Sequence, residues 1–197
     1  MLALRSLVFN VLFYALMIFL MVVGLPTVLF GRAAVFRLAR LWARCSLWLL
    51  RAICGLRVEF RGVENLPKGG ALFAAKHQSM LETFALTLHG SDFSFILKRE
   101  LTLIPVFGWY LKAAEQIAID RKSGRSALDQ AVERSKAALA VGRQIFIFPE
   151  GTRRAPGAPP LYKTGVSYIY AAADAPCVPI ALNTGLFWGR RSFVRRP

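Results

Sequence analysis

The chain has 197 residues, of which 55% are hydrophobic, with a formal net charge of +15 at pH 7 and a mean hydropathy of +0.44. This length suits one domain with a sizeable core, but the hydrophobic fraction disfavours an ordinary soluble domain and raises the possibility of a membrane contact. The charge indicates an anionic partner, either nucleic acid or an anionic lipid surface. The position of the basic residues along the chain distinguishes between the two.

An uncharged, mostly apolar run extends from Ser6 to Phe30. A helix needs about 20 apolar residues to cross the hydrocarbon core of a bilayer, so this segment is long enough. A cleaved signal peptide is the alternative, although its apolar core is usually only about 7 to 15 residues long. Gly24 and Pro26 interrupt the far end, so the sequence leaves open whether the helix spans the membrane or lies re-entrant or tilted in it.

The next segment, Ala33 to Leu56, predicts a second helix that carries a basic stripe. The stripe consists of Arg37, Arg40, Arg44 and Arg51, which share one narrow sector of the helix. Such a helix, with tryptophan among its apolar residues, is typical of the lipid headgroup region, where arginine meets the phosphates of anionic phospholipids. The alternative is the solvated face of an ordinary core-packing helix. Nucleic acid is disfavoured, because the stripe follows a membrane-length segment and is not interleaved with exposed aromatic residues.

The charges flanking the apolar run indicate its orientation. Arg5 is the only charged residue before it, whereas several arginines follow it, so the positive-inside rule places the rest of the chain on the cytoplasmic side of a membrane. The three cysteines have no spacing typical of a disulfide framework or a metal site, and we expect free thiols. Residues 1–56 are therefore predicted to form a membrane-associated helical hairpin.

After Gly55 the pattern predicts an α/β domain over residues 57–197, with a mixed sheet flanked by helices. Short apolar runs rich in branched and aromatic residues alternate there with helical or turn-like stretches. The predicted strands are "LRVEF", "ALFAAKH", "FSFIL", "EQIAID", "QIFIFP" and "CVPIAL". The clearest helix is Ala127 to Val141, with Ser126 as its N-cap and Gly142 as its end.

An ionisable pair, His77 and Glu82, stands where "ALFAAKH" joins a helix-like segment. Within a single helix the two side chains would lie about 140° apart around the axis and could not readily meet. We therefore expect His77 in the turn after a strand and Glu82 in the first turns of a helix that begins near Ser79. A carboxylate there can reach one imidazole nitrogen, fix the tautomer and leave the other nitrogen free as a base.

A second stretch, "IFIFPEGTRR" from Ile145 to Arg154, predicts an apolar strand followed by a tight turn. Gly151 allows the turn, and the guanidinium of Arg153 is suited to a phosphate, which it can bind with two hydrogen bonds. Taken alone, this stretch is better explained as a strand exit followed by a solvated arginine.

Together the two stretches resemble the glycerolipid acyltransferase family, specifically the 1-acylglycerol-3-phosphate acyltransferases, whose first block has the form HxxxxD and whose third reads FPEGTR. The resemblance runs from about Ala74 to Leu182. The second family block resembles "LKRELTLIPVFGWYL" followed by "IAIDR", and the fourth resembles "VPIAL". Two departures are Glu82, where aspartate is commoner, and Lys76, where asparagine often precedes the histidine. Glutamate keeps the carboxylate but lengthens its arm by one methylene.

The resemblance implies a catalytic acyltransferase domain over residues 57–197. It would transfer a fatty acyl group from acyl-CoA or acyl carrier protein to the sn-2 hydroxyl of lysophosphatidic acid, giving phosphatidic acid. His77 would be the base and Glu82 its partner, with no covalent acyl-enzyme, and we expect Ser79 to cap its helix. The expected substrate-binding residues are Lys98, Arg121, Glu150, Gly151, Thr152 and Arg153, with Lys163 as a weaker candidate.

Within that set, Glu150 and Gly151 are expected to shape the glycerol end of the site. No metal and no cofactor are expected beyond the thioester co-substrate, because an alcohol can attack a thioester without either and the sequence offers no ligand cluster.

Three alternatives remain open at this stage. A member of the same family could act on another lysolipid or on a glycerol phosphate, because the blocks are shared. A lipid hydrolase would use similar histidine chemistry, but no GxSxG elbow is present. A non-catalytic membrane scaffold would leave His77, Glu82 and the FPEGTR turn unexplained. The end of the chain at "FWGRRSFVRRP" also leads us to expect a short or C-terminally truncated member.

Overall fold

Two long helices form an N-terminal hairpin in the computed structural model, which describes residues 1–196. Helix α1 spans Leu2–Val23, a short 3₁₀ helix covers Leu25–Phe30, and helix α2 spans Arg32–Cys54. The chain leaves α1 at Gly24, where a Cβ would overlap Leu38 Cδ2 of α2 and the Leu20 carbonyl oxygen. The interruption predicted at Gly24 and Pro26 is therefore the turn of the hairpin.

Helix α1 contacts the rest of the protein along one narrow seam. Its buried residues are Ser6, Phe9 and Phe13, spaced three and four apart, as expected for one face of a helix. The Phe13 ring lies 5.4 Å from the ring of Trp42 on α2 and 5.7 Å from that of Trp188 near the C-terminus. Most of the other apolar side chains of α1 are exposed.

Arg195 joins the C-terminal segment to α1. It is 4% exposed, and its guanidinium carbon lies 4.0 Å from the centre of the Trp188 ring. Its Nη2 donates to Asn10 Oδ1 at 2.6 Å, and its backbone N–H donates to Ser6 Oγ at 2.9 Å. Burial lowers the pKa of Arg195 to about 10, so the side chain is still charged at neutral pH. Helix α1 is thus part of the folded core.

The predicted basic stripe on α2 is divided between two roles. Arg37, Arg44 and Arg51 are exposed, as a headgroup contact requires. Arg40 instead donates to the carbonyl oxygens of Thr87, Gly90 and Ser91, at 3.3, 2.6 and 2.6 Å. The stripe prediction is wrong for Arg40, because a loop with unpaired carbonyl oxygens lies against that turn of the helix and takes its donors.

Five strands form a single sheet in the order β3-β2-β4-β1-β5. They are β1 Ala71–Ala75, β2 Phe93–Lys98, β3 Ile117–Ile119, β4 Gln144–Ile147 and β5 Cys177–Ile180. The α/β class is confirmed, but all four pairings are parallel, so the expectation of a mixed sheet is corrected. The reason is that a helix separates each strand from the next and returns the chain to the same end of the sheet. These helices are α3 Leu81–Ala85, α4 Phe107–Ala113, α5 Gly124–Ala140 and α6 Gly165–Ala172, and α7 Thr184–Phe187 follows β5.

Two local predictions need correction. Residues 56–60, "LRVEF", form no strand; the alternation arises because Leu56 is buried among the helices while Arg57 and Glu59 face solvent. Helix α5 begins at Gly124 and not after Ser126, whose hydroxyl accepts a hydrogen bond from the Gln130 side chain at 3.2 Å. The predicted end at Gly142 agrees with the structure, where the helix stops at Ala140.

Alternate residues of the strands build two cores, one on each face of the sheet. One face stacks Phe73 on Phe146 with ring centres 4.9 Å apart and is covered by α2 and α4. The other face presents Leu72 and Ile145 to α5 and α6. Because both faces are covered, the open carboxyl edge of the parallel strands is where polar loops collect.

Candidate active site

His77 and Glu82 lie on the two sides of the turn that follows β1. The strand ends at Ala75, and α3 begins at Leu81 with Glu82 in its first turn. The His77 Nδ1 and the Glu82 Oε1 are 2.9 Å apart, so the contact expected from the spacing is present. The Glu82 side chain is 2% exposed and that of His77 is 16% exposed, which leaves part of the imidazole accessible to a substrate.

The buried Glu82 carboxylate accepts four hydrogen bonds. Its Oε1 faces His77 and also accepts the backbone N–H groups of Gln78 at 2.8 Å and Ser79 at 2.7 Å. Its Oε2 accepts from Thr184 Oγ1 at 2.7 Å. Burial acts to raise the pKa of Glu82, but the bonds from His77, Thr184 and the Ser79 backbone outweigh it and hold the pKa below its ordinary value. Glu82 is therefore an anion at neutral pH.

An anionic Glu82 fixes the tautomer of neutral His77. An ionised carboxylate only accepts hydrogen bonds, so we assign the imidazole proton to Nδ1. Nε2 then carries a free lone pair. The imidazole also stacks on Phe148, with ring centres 4.1 Å apart and planes 18° apart, which limits rotation of the ring. The geometry is that of an oriented base.

The turn after β4, from Glu150 in FPEGTR to Arg154, holds the backbone of His77 from both sides. The His77 N–H donates to Glu150 Oε2 at 2.7 Å, and the His77 carbonyl accepts from the Arg154 N–H at 2.8 Å. Glu150 is 3% exposed, and its other oxygen pairs with Lys76 Nζ at 3.2 Å. Both Glu150 oxygens thus have protein partners. Glu150 therefore positions the His77 loop. Its predicted place at the glycerol end of the site stays a prediction.

Gly151 lies where two cationic side chains approach the turn. Its φ of 66° is in the left-handed region, and a Cβ there would lie 3.3 Å from Lys163 Cε and 3.6 Å from Arg121 Nη1. Arg121 Nη1 donates to the Gly151 carbonyl. A side chain at this position would be strained and would crowd both cations.

The other predicted residues also follow strand ends. Lys98 ends β2 and is exposed, Thr152 is exposed in the FPEGTR turn, and Arg153 is half-buried. The carbonyl of Arg153 accepts from Arg190 Nη1 at 3.3 Å. The fold therefore collects all the predicted site residues on the carboxyl edge of the sheet. Their roles in binding substrate stay predictions.

Sequence reasoning did not assign Thr184 or Gln78 to this site. Thr184 bonds directly to Glu82, and Gln78 Oε1 accepts the Gly185 N–H at 3.2 Å, so the start of α7 packs on the His77 turn. Gly185 is required there, since a Cβ would lie 2.8 Å from Gln78 Cβ. The available signal was "NTG" directly after the last predicted strand, since parallel strands bring such loops to the same edge.

Comparison with known proteins identifies the family. A family model described as Acyltransferase matches residues 57–183. The chain belongs to the Acyltransferase family. The family assignment predicted from His77, Glu82 and the FPEGTR turn is confirmed.

Two relatives of the family show how much of the chain is shared. The 1-acyl-sn-glycerol-3-phosphate acyltransferase of Pseudomonas aeruginosa is 38% identical over 156 residues, covering 79% of this chain and 61% of the relative. The chloroplastic 1-acyl-sn-glycerol-3-phosphate acyltransferase of Arabidopsis thaliana is 32% identical over 172 residues, covering 84% and 47%. The chain thus spans about half to three fifths of the length of these relatives.

A solved structure has the same fold. The crystal structure of the 1-acyl-sn-glycerophosphate acyltransferase PlsC from Thermotoga maritima superposes with a TM-score of 0.80 at 24% identity, covering 100% of this chain and 82% of that one. The superposition includes the N-terminal hairpin as well as the acyltransferase-family domain.

Proposed function

We propose that this protein transfers a fatty acyl group from an acyl thioester, either acyl-CoA or acyl carrier protein, to the sn-2 hydroxyl of lysophosphatidic acid. The product is phosphatidic acid. The observation that carries the proposal is the His77–Glu82 contact beside the FPEGTR turn, which leaves His77 Nε2 free as a base. The relatives from Pseudomonas aeruginosa and Arabidopsis thaliana are named for this acceptor, which supports lysophosphatidic acid over another lysolipid or a glycerol phosphate.

The proposed reaction is a direct transfer. His77 Nε2 removes the proton of the sn-2 hydroxyl as its oxygen attacks the thioester carbonyl. The tetrahedral intermediate then collapses, the C–S bond breaks, and the imidazolium returns its proton to the leaving thiolate. Glu82 stabilises the imidazolium between these steps. The sequence of steps requires no resident metal and no redox cofactor.

Ser79 supports the direct route over a covalent one. Its side chain is fully buried, and its Oγ accepts the Leu81 N–H at 3.1 Å at the start of α3. A nucleophile must instead be presented to the substrate and to the base. Ser79 thus accepts a hydrogen bond one residue before the N-cap, Met80, and its burial disfavours an acyl-enzyme formed on its hydroxyl.

We also propose that the hairpin holds this site at a membrane surface, on the cytoplasmic face. Helix α1 is long and apolar enough to cross a bilayer, yet α2 runs antiparallel along it and carries Arg37, Arg44 and Arg51. Those charges favour the headgroup layer, so a hairpin inserted into one leaflet agrees better with the contacts than a clean span. Exposed Trp48 on α2 suits the same interface. Anionic phospholipids are the proposed partners, and the position would give access to lipid acceptors.

For the membrane proposal, we expect replacement of Arg37, Arg44 and Arg51 by glutamine to weaken binding to phosphatidylserine vesicles by about 1 kcal/mol per arginine, less at high salt. Vesicle co-sedimentation measures this. The matched control replaces Lys122, Arg125 and Lys136 by glutamine. It removes the same amount of charge from exposed positions on or near α5, on the other face of the sheet. Equal weakening in both variants would show that only net charge matters.

For the chemistry, we expect His77→Ala to reduce formation of phosphatidic acid by about 10²- to 10⁴-fold, because a positioned general base contributes this much. The assay uses purified protein, acyl-CoA and lysophosphatidic acid, with thioester hydrolysis and transfer to other lysolipids measured in parallel. His89→Ala, which alters the other histidine of the chain, should remain close to wild type. Retention of more than about a tenth of the rate in His77→Ala would exclude direct base catalysis by this residue.

For the acceptor phosphate, we propose Arg153, with Lys98 and Arg121 at neighbouring strand ends. Arg153→Ala should lower kcat/KM for lysophosphatidic acid about 30- to 1000-fold, mainly through KM, because a charge-assisted pair of hydrogen bonds is lost. Arg153→Lys should recover part of it. Monoacylglycerol, which lacks the phosphate, is the control substrate. If Arg153→Ala kept the full preference for lysophosphatidic acid over monoacylglycerol, Arg153 would not be the phosphate ligand. Lys98 or Arg121 would then be the better candidate.

A further inference from the structure

An open groove of about 560 Å³ lies beside the His77 loop and has a strongly cationic lining. Its walls are the turn after FPEG and the segment after α7. We call this cavity the arginine groove. Its lining includes Thr152, Arg153, Arg154, Pro156, Gly189 and Arg190. Its volume is within the range of small-molecule sites, which is about 300 to 1,000 Å³. Arg154 and Arg190 were not among the residues predicted from the sequence.

The charge of the arginine groove is not neutralised by the protein. Among residues 1–196, none of the ion pairs includes Arg153, Arg154 or Arg190. Arg154 Nε is buried without a hydrogen-bond partner, while its Nη2 reaches only the Pro159 carbonyl at 3.4 Å. Three guanidinium groups around one concavity, without a carboxylate among them, favour a ligand that carries phosphate groups.

The groove is tied rigidly to the catalytic turn. The Arg154 N–H donates to the His77 carbonyl at 2.8 Å, and Arg190 Nη1 donates to the Arg153 carbonyl at 3.3 Å. Pro156 in the wall lies against Gly185, which in turn bonds to Gln78 beside His77. A phosphate bound here would thus be held at a fixed position relative to the base.

The sheet order places Arg190 on the opposite side of His77 from Lys98 and Arg121. Along the carboxyl edge, in the order β3-β2-β4-β1-β5, Arg121 follows β3, Lys98 ends β2, His77 follows β1 and Arg190 comes after β5. Lys98 and Arg121 therefore lie on one side of His77, and Arg190 lies on the other. Arg153 and Arg154, in the turn after β4, lie between Arg190 and the other two cations.

We propose that the arginine groove, through Arg154 and Arg190, binds the phosphate of the acyl donor. The inference rests on the proposed acyl transfer, in which two anionic substrates must be bound at once and meet at His77. The acceptor has one phosphate, proposed above for Arg153 and its neighbours toward β2. The donor carries a phosphate at the far end of its pantetheine arm, which acyl-CoA and acyl carrier protein share. Arg190 lies on the opposite side of the base from Lys98 and Arg121, so the two anions need not compete for one site.

The first test measures binding without any reaction. Unacylated CoA is titrated calorimetrically into the full chain in detergent micelles, for wild type, Arg190→Gln, Arg154→Gln and Arg190→Lys. We expect each glutamine variant to weaken CoA binding on the order of 10- to 100-fold, and Arg190→Lys to recover part of it. The matched control is Arg191→Gln, which removes the same charge from the adjacent exposed residue that does not line the groove, and it should bind CoA as wild type does.

The second test assigns the phosphate with three donors, acyl-CoA, acyl-4′-phosphopantetheine and acyl-pantetheine, at saturating lysophosphatidic acid. Arg190→Gln should raise the KM of acyl-CoA and leave that of acyl-pantetheine unchanged. If the KM of acyl-4′-phosphopantetheine rises as much as that of acyl-CoA, the groove binds the phosphate that CoA shares with acyl carrier protein. If the KM of acyl-4′-phosphopantetheine does not rise, the groove binds the nucleotide phosphates of CoA. The first result supports the inference, and the second overturns the assignment to the shared phosphate.

Other outcomes overturn the inference. A rise in the KM of lysophosphatidic acid alone would make the groove an acceptor site, and weaker binding to anionic vesicles with unchanged CoA affinity would make it a headgroup contact. Equal loss for all three donors would indicate a structural role. Arginine-dependent CoA binding in a protein that transfers nothing to lysophosphatidic acid would reject the proposed function and keep the donor site.

Discussion

The buried carboxylate of Glu82 is the interaction on which the rest of the site depends. A carboxylate that is 2% exposed is stable as an anion only if donors surround it, and here two backbone N–H groups, one hydroxyl and one imidazole do so. These bonds fix the turn between β1 and α3 and the tautomer of His77. The extra methylene of glutamate, compared with the commoner aspartate, is accommodated without losing the contact to Nδ1.

The supports of this turn come from distant parts of the chain. The turn after β4 holds the His77 backbone through Glu150 and Arg154, and the start of α7 holds Glu82 through Thr184. Four residues after Thr184, Trp188 packs against Phe9 and Phe13 of α1, with ring centres 5.5 and 5.7 Å apart. The segment that completes the His77–Glu82 pair is thus the one that packs against the apolar hairpin. This continuity gives a physical reason why the hairpin and the catalytic turn would share one orientation at a membrane surface.

The sequence was sufficient for features set by local geometry. The strand-turn-helix that joins His77 to Glu82 spans a few residues, so their spacing predicted the contact, and the five observed strands match runs bounded by glycine, proline or charge. Features set by long-range partners were not predicted. The sequence places Arg40 in a lipid-facing stripe. In the structure it binds carbonyl oxygens of a loop about 50 residues away, which the local pattern does not show. Glu150 also contacts Lys76 and the His77 N–H, and the sequence indicated neither contact. In "LRVEF" apolar and charged residues alternate as in a strand, because an extended segment that is buried on one side against helices has the same two-residue period.

The central claim is that Glu82 holds neutral His77 with its proton on Nδ1 and Nε2 free. The chain has two histidines, so ¹⁵N-histidine NMR of the His89→Gln protein reports on His77 alone. At a pH where the imidazole is neutral, the account predicts a protonated Nδ1 and an unprotonated Nε2, and it predicts that Glu82→Gln abolishes this strong preference, since an amide can donate as well as accept. A His77 that carries its proton on Nε2, or a tautomer that Glu82→Gln leaves unchanged, would contradict the account.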